Sequence, residues 1–297
     1  MILITGMTGT SGSAFYKVLC EKKFDERIRI VVRETTDLSI FKDTPLNLEF
    51  AVGDICDFEF MKKAVKDVRL VFHIAAKNQA KNVVEAICQA PQKPFACMVS
   101  STIIYSNYYR TSYLKKDEEK YIKDFKKNDI KYVFIRPTMI FGTPTDKNIS
   151  VFTRWIKRYR YFPIVKNGSA TIQPVHRDDL AMAYYLIMSN IDNLCFDEYI
   201  VSGKDEMTLL DMFKTISMVL GTKTTIVNIP FPVASFLVNC LYYISLKQID
   251  YREKLDRLTE DRAYPHDKIS DELGYEPLAF KERLAQTIKS YNNYIYS

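Results

Sequence analysis

Three glycines near the start of the chain constrain it more than any other feature. Thr5-Gly6-Met7-Thr8-Gly9-Thr10-Ser11-Gly12 is a G-x-x-G-x-x-G loop. The short apolar run Ile2-Leu3-Ile4 precedes it, and Phe15, Val18 and Leu19 follow at helical spacing. Strand, glycine loop and helix in this order suit a dinucleotide. One glycine permits the tight turn, another lets the backbone approach a pyrophosphate, and the last lets helix and strand pack closely. The helix N-terminus then offers N–H groups and a positive dipole end to the phosphates. Gly6, Thr8, Gly9, Thr10, Ser11 and Gly12 are therefore the expected cofactor-binding loop.

The rest of the first half alternates strand and helix. Strands are expected at residues 28–32, 48–52, 68–72, 95–99 and 132–135, with helices at 82–90 and 113–127 between them. This rhythm implies right-handed crossovers and a parallel sheet covered on both faces. The second half is less regular. Helices are expected at 152–161, 180–189, 208–220 and 280–288, with a strand at 223–229. The expected architecture is α/β: a Rossmann doubly wound parallel sheet in residues 1–142, then a smaller α+β substrate-binding part in 143–297. Residues 171–200 of that second part are expected to return to the sheet.

Composition excludes several alternatives. Hydrophobic residues are 47% and charged residues 26% of the chain, which rules out a disordered or fibrous protein. The net charge of +6 is a mild excess that permits an anionic ligand but does not suggest nucleic acid. The six cysteines form no C-x-x-C pair and only three histidines are present, so neither a metal site nor a disulfide framework is expected. No basic segment followed by an apolar one opens the chain, and reduced thiols in a cytoplasmic setting are the expectation. The apolar run at residues 233–246 falls short of the roughly 20 residues that a membrane span needs. It is expected to be a buried or interface helix, with a position on a membrane surface as the alternative.

Strand ends supply the remaining cofactor candidates. Arg33 ends the second strand, where an acidic residue would hold the ribose hydroxyls of NAD and a basic one meets the 2′-phosphate of NADP. NADP is therefore favoured over NAD, although Glu34 is adjacent and Arg33 also suits stacking on an adenine. Gly53-Asp54-Ile55 closes the third strand, where Asp54 serves either as an adenine contact or as a turn residue. His73-Ile74-Ala75-Ala76 closes the fourth, with Ala75 and Ala76 leaving room for a ribose and His73 read as a core histidine.

The segments TGMTGTSG, GDICD, HIAA, SSTIIYS, RPTMIFG, QPVHRDDLA and LGYEP together resemble the extended or atypical short-chain dehydrogenases/reductases, of the NAD-dependent epimerase/dehydratase group. They span residues 5 to 277. The resemblance implies a C-terminal part that closes over a substrate, commonly a nucleotide-activated sugar, and adds Pro137 to the cofactor contacts. It implies that Asp178 and Asp179 cap the following helix. It also implies a catalytic Ser, a Tyr, and a Lys four residues after the Tyr, the Lys lowering the phenol pKa while hydride moves at the nicotinamide.

Ser101 matches the family serine, and Lys115 matches the lysine because Glu119 and Ile122 follow it at the family spacing. The tyrosine position is then Thr111, so the Y-x-x-x-K dyad is absent. Three readings follow. A tyrosine at a shifted position, Tyr113 first and then Tyr109 or Tyr105, supplies the phenol. Alternatively Ser101 and the cofactor suffice, or the protein is a non-catalytic cofactor-binding or assembly protein. For a substrate diphosphate the candidates are Asn148, Arg154 and Arg177, with Arg158 and Arg160 nearby, because guanidinium forks suit phosphate oxygens. Arg257-Leu258-Thr259-Glu260-Asp261-Arg262 resembles a segment of relatives from surface-polysaccharide pathways. The expected partners are a nucleotide sugar and, as a possibility of the fold, a second copy in a homodimer; neither nucleic acid nor a membrane span is expected.

Overall fold

The computed structural model describes residues 1–76, 79–146, 148–159, 161–194 and 197–291, with side chains for all of these except residues 109–112, 197 and 291. The chain begins β1 (Ile2–Thr5), α1 (Thr10–Glu21), β2 (Ile28–Val32), β3 (Leu48–Val52), α2 (Phe58–Ala64), β4 (Leu70–His73), α3 (Ala80–Gln89) and β5 (Phe95–Val99). It continues with α4 (Tyr109–Lys127), β6 (Tyr132–Pro137), β7 (Ile140–Phe141), α5 (Ile149–Arg158), β8 (Tyr161–Val165), β9 (Thr171–Ile172), β10 (Val175–His176) and α6 (Arg177–Ser189). The remainder is β11 (Asp197–Val201), β12 (Met207–Thr208), α7 (Leu209–Val219), β13 (Thr225–Ile229), α8 (Phe231–Ile244), α9 (Arg252–Arg257), α10 (Asp267–Leu273) and α11 (Phe280–Tyr291).

Seven strands form one parallel sheet in the order β11-β6-β5-β4-β1-β2-β3. The order reverses between β1 and β4, the crevice where doubly wound sheets bind ligands. Alternation along β1 divides the core. Ile2 and Ile4 face Phe15, Leu19, Phe72, Tyr184 and Tyr199, on the side covered by α1, α6 and α10. Leu3 faces the opposite side with Val31, Val71, Val83, Ile87, Phe125 and Phe134, under α2, α3 and α4. The apolar strands are buried on both faces, as a sheet covered by helices requires.

The second part is built on its own smaller core of Phe141, Ile149, Phe162, Ile172, Leu209, Phe213 and Phe280. Three two-stranded ladders hold it: β7 with β10, β9 with β12, and β8 with β13. Several expectations change here. Tyr161 is not the end of a helix: α5 stops at Arg158 and Tyr161 begins β8. Helix α4 begins at Tyr109, four residues before the expected start at Tyr113. Asp178 and Asp179 lie inside the first turn of α6, whose N-cap is His176, its Nδ1 accepting from the Asp178 N–H at 3.2 Å. Asp179 is buried instead in an ion pair with Arg283.

The apolar run at 233–246 is a helix, but it is not buried. Only Ala234 of α8 is enclosed, and Phe236 and Ile244 are 67% and 79% exposed. Among the described residues no helix is long and apolar enough to cross a membrane, and no cluster of His, Cys, Asp and Glu is arranged to hold a metal ion.

Candidate functional site

The C-terminal ends of the central strands open into two clefts. The first, of about 240 Å³, lies over β1, β2, β3 and β4 and is lined by Gly6, Thr8, Gly9, Arg33, Ile55 and Ala75, all expected from the sequence. Val31, Val32, Thr36, Gly53 and Gln79 complete it. Thr36 was not foreseen; its hydroxyl accepts from the Arg33 N–H at 2.9 Å, so the loop after β2 folds back to shape this end. Asp54 is exposed and accepts from the Cys56 N–H at 2.9 Å, which is a turn role. Ala76 lies just past Ala75 and its carbonyl accepts from the Gln79 N–H. Pro137 sits at the end of β6, away from this cleft, with its carbonyl accepting from Thr102.

The three glycines have separable reasons. Gly6 has φ +78°, and a Cβ there would lie 2.6 Å from the Ala75 nitrogen. A Cβ on Gly12 would lie 2.1 Å from the Gly6 oxygen, inside the loop's own backbone. Both are demanded by the fold. Gly9 is different: its φ is −73°, and the nearest atom to an added Cβ is the Gly6 oxygen at 3.3 Å. The protein tolerates a side chain there far better than at the other two, so the smallness of Gly9 serves whatever lies in the cleft. Gly9 is also the N-cap of α1, no side chain caps that end, and the first turn is Thr10, Ser11 and Gly12 with no acidic residue. The loop thus fits a dinucleotide pyrophosphate at an uncapped helix N-terminus.

His73 is the core histidine expected. It is fully buried, and its Nδ1 pairs with the Thr5 hydroxyl at 2.8 Å. Burial lowers its pKa to about 4, so the ring is neutral at physiological pH.

The second cleft, of about 370 Å³, lies over the ends of β5 and β6. It is lined by the segment from Ser101 to Ile103, Ser106, Thr138, Met139, Asn148, Gln173 and, from the far end of the chain, Arg257, Arg262 and Tyr264. Ser101 follows β5, and its oxygen accepts from the Ile103 N–H at 3.2 Å, which leaves its O–H to donate into the cleft. Gln173 ties the walls together: its amide nitrogen donates to the Gly203 carbonyl at 2.9 Å and its oxygen accepts from the Tyr264 N–H at 3.1 Å. The Glu260 carboxylate accepts from the Ser106 hydroxyl and the Asn107 N–H, and Asp261 accepts from the Thr171 N–H and hydroxyl. The segment from Arg257 to Tyr264 is therefore strapped across the cleft.

Two of its arginines are unusual. The Nε atoms of Arg257 and Arg262 are buried and have no hydrogen-bond partner among the described residues. Burial, and next the like charge of Arg257, pull the Arg262 pKa down. Two guanidiniums that repel each other, with Glu260 near Arg262 but no ion pair to either among the described residues, suit an anion. Tyr264 is the cleft's phenol; burial and then Glu260 raise its pKa, against the opposing arginines, so it is a proton-bearing group at neutral pH.

Several sequence candidates are placed elsewhere. Tyr113 is 55% exposed and Lys115 is also exposed, and neither lines either cleft. The inward positions of α4 are Leu114, Glu118 and Tyr121, which face a narrow cavity with His73 and Ser100. The buried carboxylate is Glu118 rather than Glu119, because Arg136 from β6 pairs with Glu118 and also donates to the Ser100 hydroxyl at 3.0 Å. Leu114 thus holds an inward position of α4, and Lys115 lies on its exposed side. Tyr105 donates to Glu198, lies 5.6 Å from the Arg136 guanidinium, and has its pKa raised by burial and then by Glu198. Tyr109, Thr111 and Arg160 lie outside what is described of side chains. Of the expected substrate contacts, Asn148 lines the cleft, but Arg154 donates to the Pro144 carbonyl and the Ser150 hydroxyl, and Arg177 pairs with Asp178.

Comparison with known proteins agrees with this geometry. A family model described as NAD(P)H-binding matches residues 6–158. A curated relative, subunit 9 of the mitochondrial NADH dehydrogenase [ubiquinone] 1 alpha subcomplex of Arabidopsis thaliana, is 24% identical over 135 residues, 43% of this chain and 33% of that protein. The match thus spans about a third of the plant protein's length. Among solved structures, that of gox2253 superposes with a TM-score of 0.79 at 20% identity over 99% of this chain and 98% of the other. A dTDP-glucose 4,6-dehydratase of Streptomyces venezuelae, DesIV, solved with NAD bound, gives 0.73 at 17% identity over 99% and 97% of the two chains.

Proposed function

The chain belongs to the NAD(P)H-binding family, and from that premise we propose that it is an NAD(P)-dependent oxidoreductase or epimerase/dehydratase-like protein acting on a nucleotide-activated sugar. The observation that carries the substrate class is the pair Arg257 and Arg262, half-buried in the cleft beside Ser101, each with a buried Nε that has no partner among the described residues. A diphosphate meets both guanidiniums at once and removes the cost of leaving them unpaired. The sugar end then lies toward Ser101, Thr138 and the strand ends that lead to Ala75. Its likeness in fold to DesIV, whose substrate by name is dTDP-glucose, supports this reading. A surface-polysaccharide role goes with it.

A bound nicotinamide supplies or accepts the hydride. In this chain Ser101 donates a hydrogen bond to the sugar oxygen that gains or loses the proton. Tyr264 replaces Tyr113 as the phenol proposed to carry that proton, because it lies in the cleft and Tyr113 does not. The adenosine end favours NADP: Arg33 offers its guanidinium to the 2′-phosphate with Thr36 beside it. The test is a screen of UDP- and dTDP-sugars with NADP and NAD, following nicotinamide absorbance and product mass. Turnover that survives Tyr113→Phe and falls with Ser101→Ala supports the reading.

A second reading is favoured by the exposure of Lys115 and Tyr113, with Leu114 inward on α4. In that case the protein binds NAD(P) without turnover. Tight dinucleotide and nucleotide-sugar binding with no product of changed mass decides for it.

A further inference from the structure

We propose that α8 and the basic ground beside it dock the protein onto the surface of an anionic phospholipid bilayer. Helix α8, Phe-Pro-Val-Ala-Ser-Phe-Leu-Val-Asn-Cys-Leu-Tyr-Tyr-Ile, contains no charged residue. One side of it is used: Ala234, with Phe231 and Val238, packs against Val165, Leu255 and Ile229. The other side is equally apolar. Val233, Phe236, Leu237, Leu241 and Ile244 recur at intervals of three and four, one stripe of a helix, and all are exposed. Tyr243 flanks the stripe, and Leu246, 81% exposed, extends it beyond the helix end. A scattered surface leucine is ordinary, but a continuous apolar stripe on a helix without a charge is a surface that something covers.

Charge identifies what covers it. Residues 212–249 contain no Asp or Glu but include Lys214, Lys223 and Lys247. The β8–β13 ladder sets this stretch beside residues 147–177, which also contain no Asp or Glu and carry Lys157, Arg158 and Lys166. Where the two meet, Lys157, Arg158, Tyr159, Thr222 and Lys223 line a recess of about 450 Å³. Trp155, Tyr159 and Tyr161 are exposed next to it. Aliphatic residues on α8, Lys166 over the Phe231 ring, and Trp, Tyr, Lys and Arg further along the β8–β13 ladder have the composition of a surface lying in a lipid interface. On the β8–β13 side the rim is basic and complements anionic headgroups, with each nearby cation adding attraction. On the other side α9 packs against α8 and is charge-balanced, Asp250, Glu253 and Asp256 standing with Arg252, Lys254 and Arg257. The same rim on a second copy of this chain would be repelled, so a self-association face is the poorer match. The helix is too short to span the bilayer and lies along it.

The experiment is flotation of the full chain with vesicles of phosphatidylcholine alone or mixed with phosphatidylglycerol. The one tryptophan of the chain, Trp155, gives a fluorescence readout. Binding is expected to the mixed vesicles only, to weaken with added salt, and to shift Trp155 emission to the blue. Phe236→Ser with Ile244→Ser, and separately Lys157→Ala with Arg158→Ala and Lys223→Ala, are each expected to weaken binding at least about tenfold. These residues are exposed, so thermal melting is expected to stay near that of the parent. Absence of binding to mixed vesicles overturns the proposal, as does binding that neither variant set weakens. A dimer in solution that Phe236→Ser with Ile244→Ser dissociates also overturns it, since a second copy then owns the face.

Discussion

The loop before α1 and the start of α4 flank the same strand ends, yet they stand in opposite relation to the chemistry of the fold. In the loop every special residue is present, and Gly9 is small for the sake of the cleft rather than the backbone. On α4 an inward position carries Leu114, and Lys115 and Tyr113, the lysine and tyrosine expected from the sequence, are turned to solvent. The difference teaches that dinucleotide binding and proton transfer are separate demands on this fold. One is met by backbone shape, the other by a side-chain pair that can be lost or moved without disturbing the first.

The broadest way to strain the comparison is acid, because each half of the molecule carries one buried neutral histidine. Burial holds His73 and His176 at about 4, against 6.5 for the free side chain. The unfolded chain therefore binds protons that the folded one refuses. Their stabilisation is fully present above pH 6.5 and is lost as pH falls toward 4, by about 3 kcal/mol per histidine as an upper bound. Urea unfolding across this window is expected to give a steep fall in stability, and a flat profile would contradict neutral burial.

The second cleft is tested next. Arg257→Ala or Arg262→Ala is expected to weaken UDP-sugar binding by roughly tenfold to a hundredfold, the worth of a charge-assisted contact. Dinucleotide affinity should stay within about twofold, since neither arginine lines the first cleft. Parallel losses for both ligands would mean that the clefts are one. Arg33→Ala sharpens the first cleft: NADP affinity is expected to fall about tenfold with NAD affinity little changed. Equal titration curves for NAD and NADP in the parent would remove the NADP preference. The smallest effect belongs to α4, where Tyr113→Phe and Lys115→Ala should leave any turnover unchanged.

The legibility of the sequence follows the same division. The sheet could be read because burial leaves a local signature: Ile2, Leu3 and Ile4 are all apolar since both faces of β1 are covered. Six of the groove residues lie at strand ends and could be placed by counting. The phase of α4 could not. Lys115 and Glu119 have the family spacing, but each residue turns a helix by about 100°. Glu118 faces inward because Arg136, on β6, meets it there. The segment from Arg257 to Arg262 stood out by its resemblance, but its place over the cleft, and Tyr264, were hidden, since Gln173, Glu260 and Asp261 bring them there by contacts between segments far apart in the chain. The exposure of α8 was hidden for another reason: an apolar run looks the same whether protein or lipid covers it.

Central to all of this is that the glycine loop is a dinucleotide site and not simply a tight turn. Calorimetric titration of NADP and NAD into the parent and Gly9→Val, alongside thermal melts that include Gly12→Val, tests it most directly. The account predicts that Gly9→Val melts close to the parent but loses dinucleotide binding by more than about a hundredfold, because its side chain enters the pyrophosphate path. It predicts that Gly12→Val is destabilised by about 3 kcal/mol or more, because its Cβ meets the Gly6 carbonyl. A Gly9→Val protein that binds either dinucleotide as tightly as the parent would contradict the account.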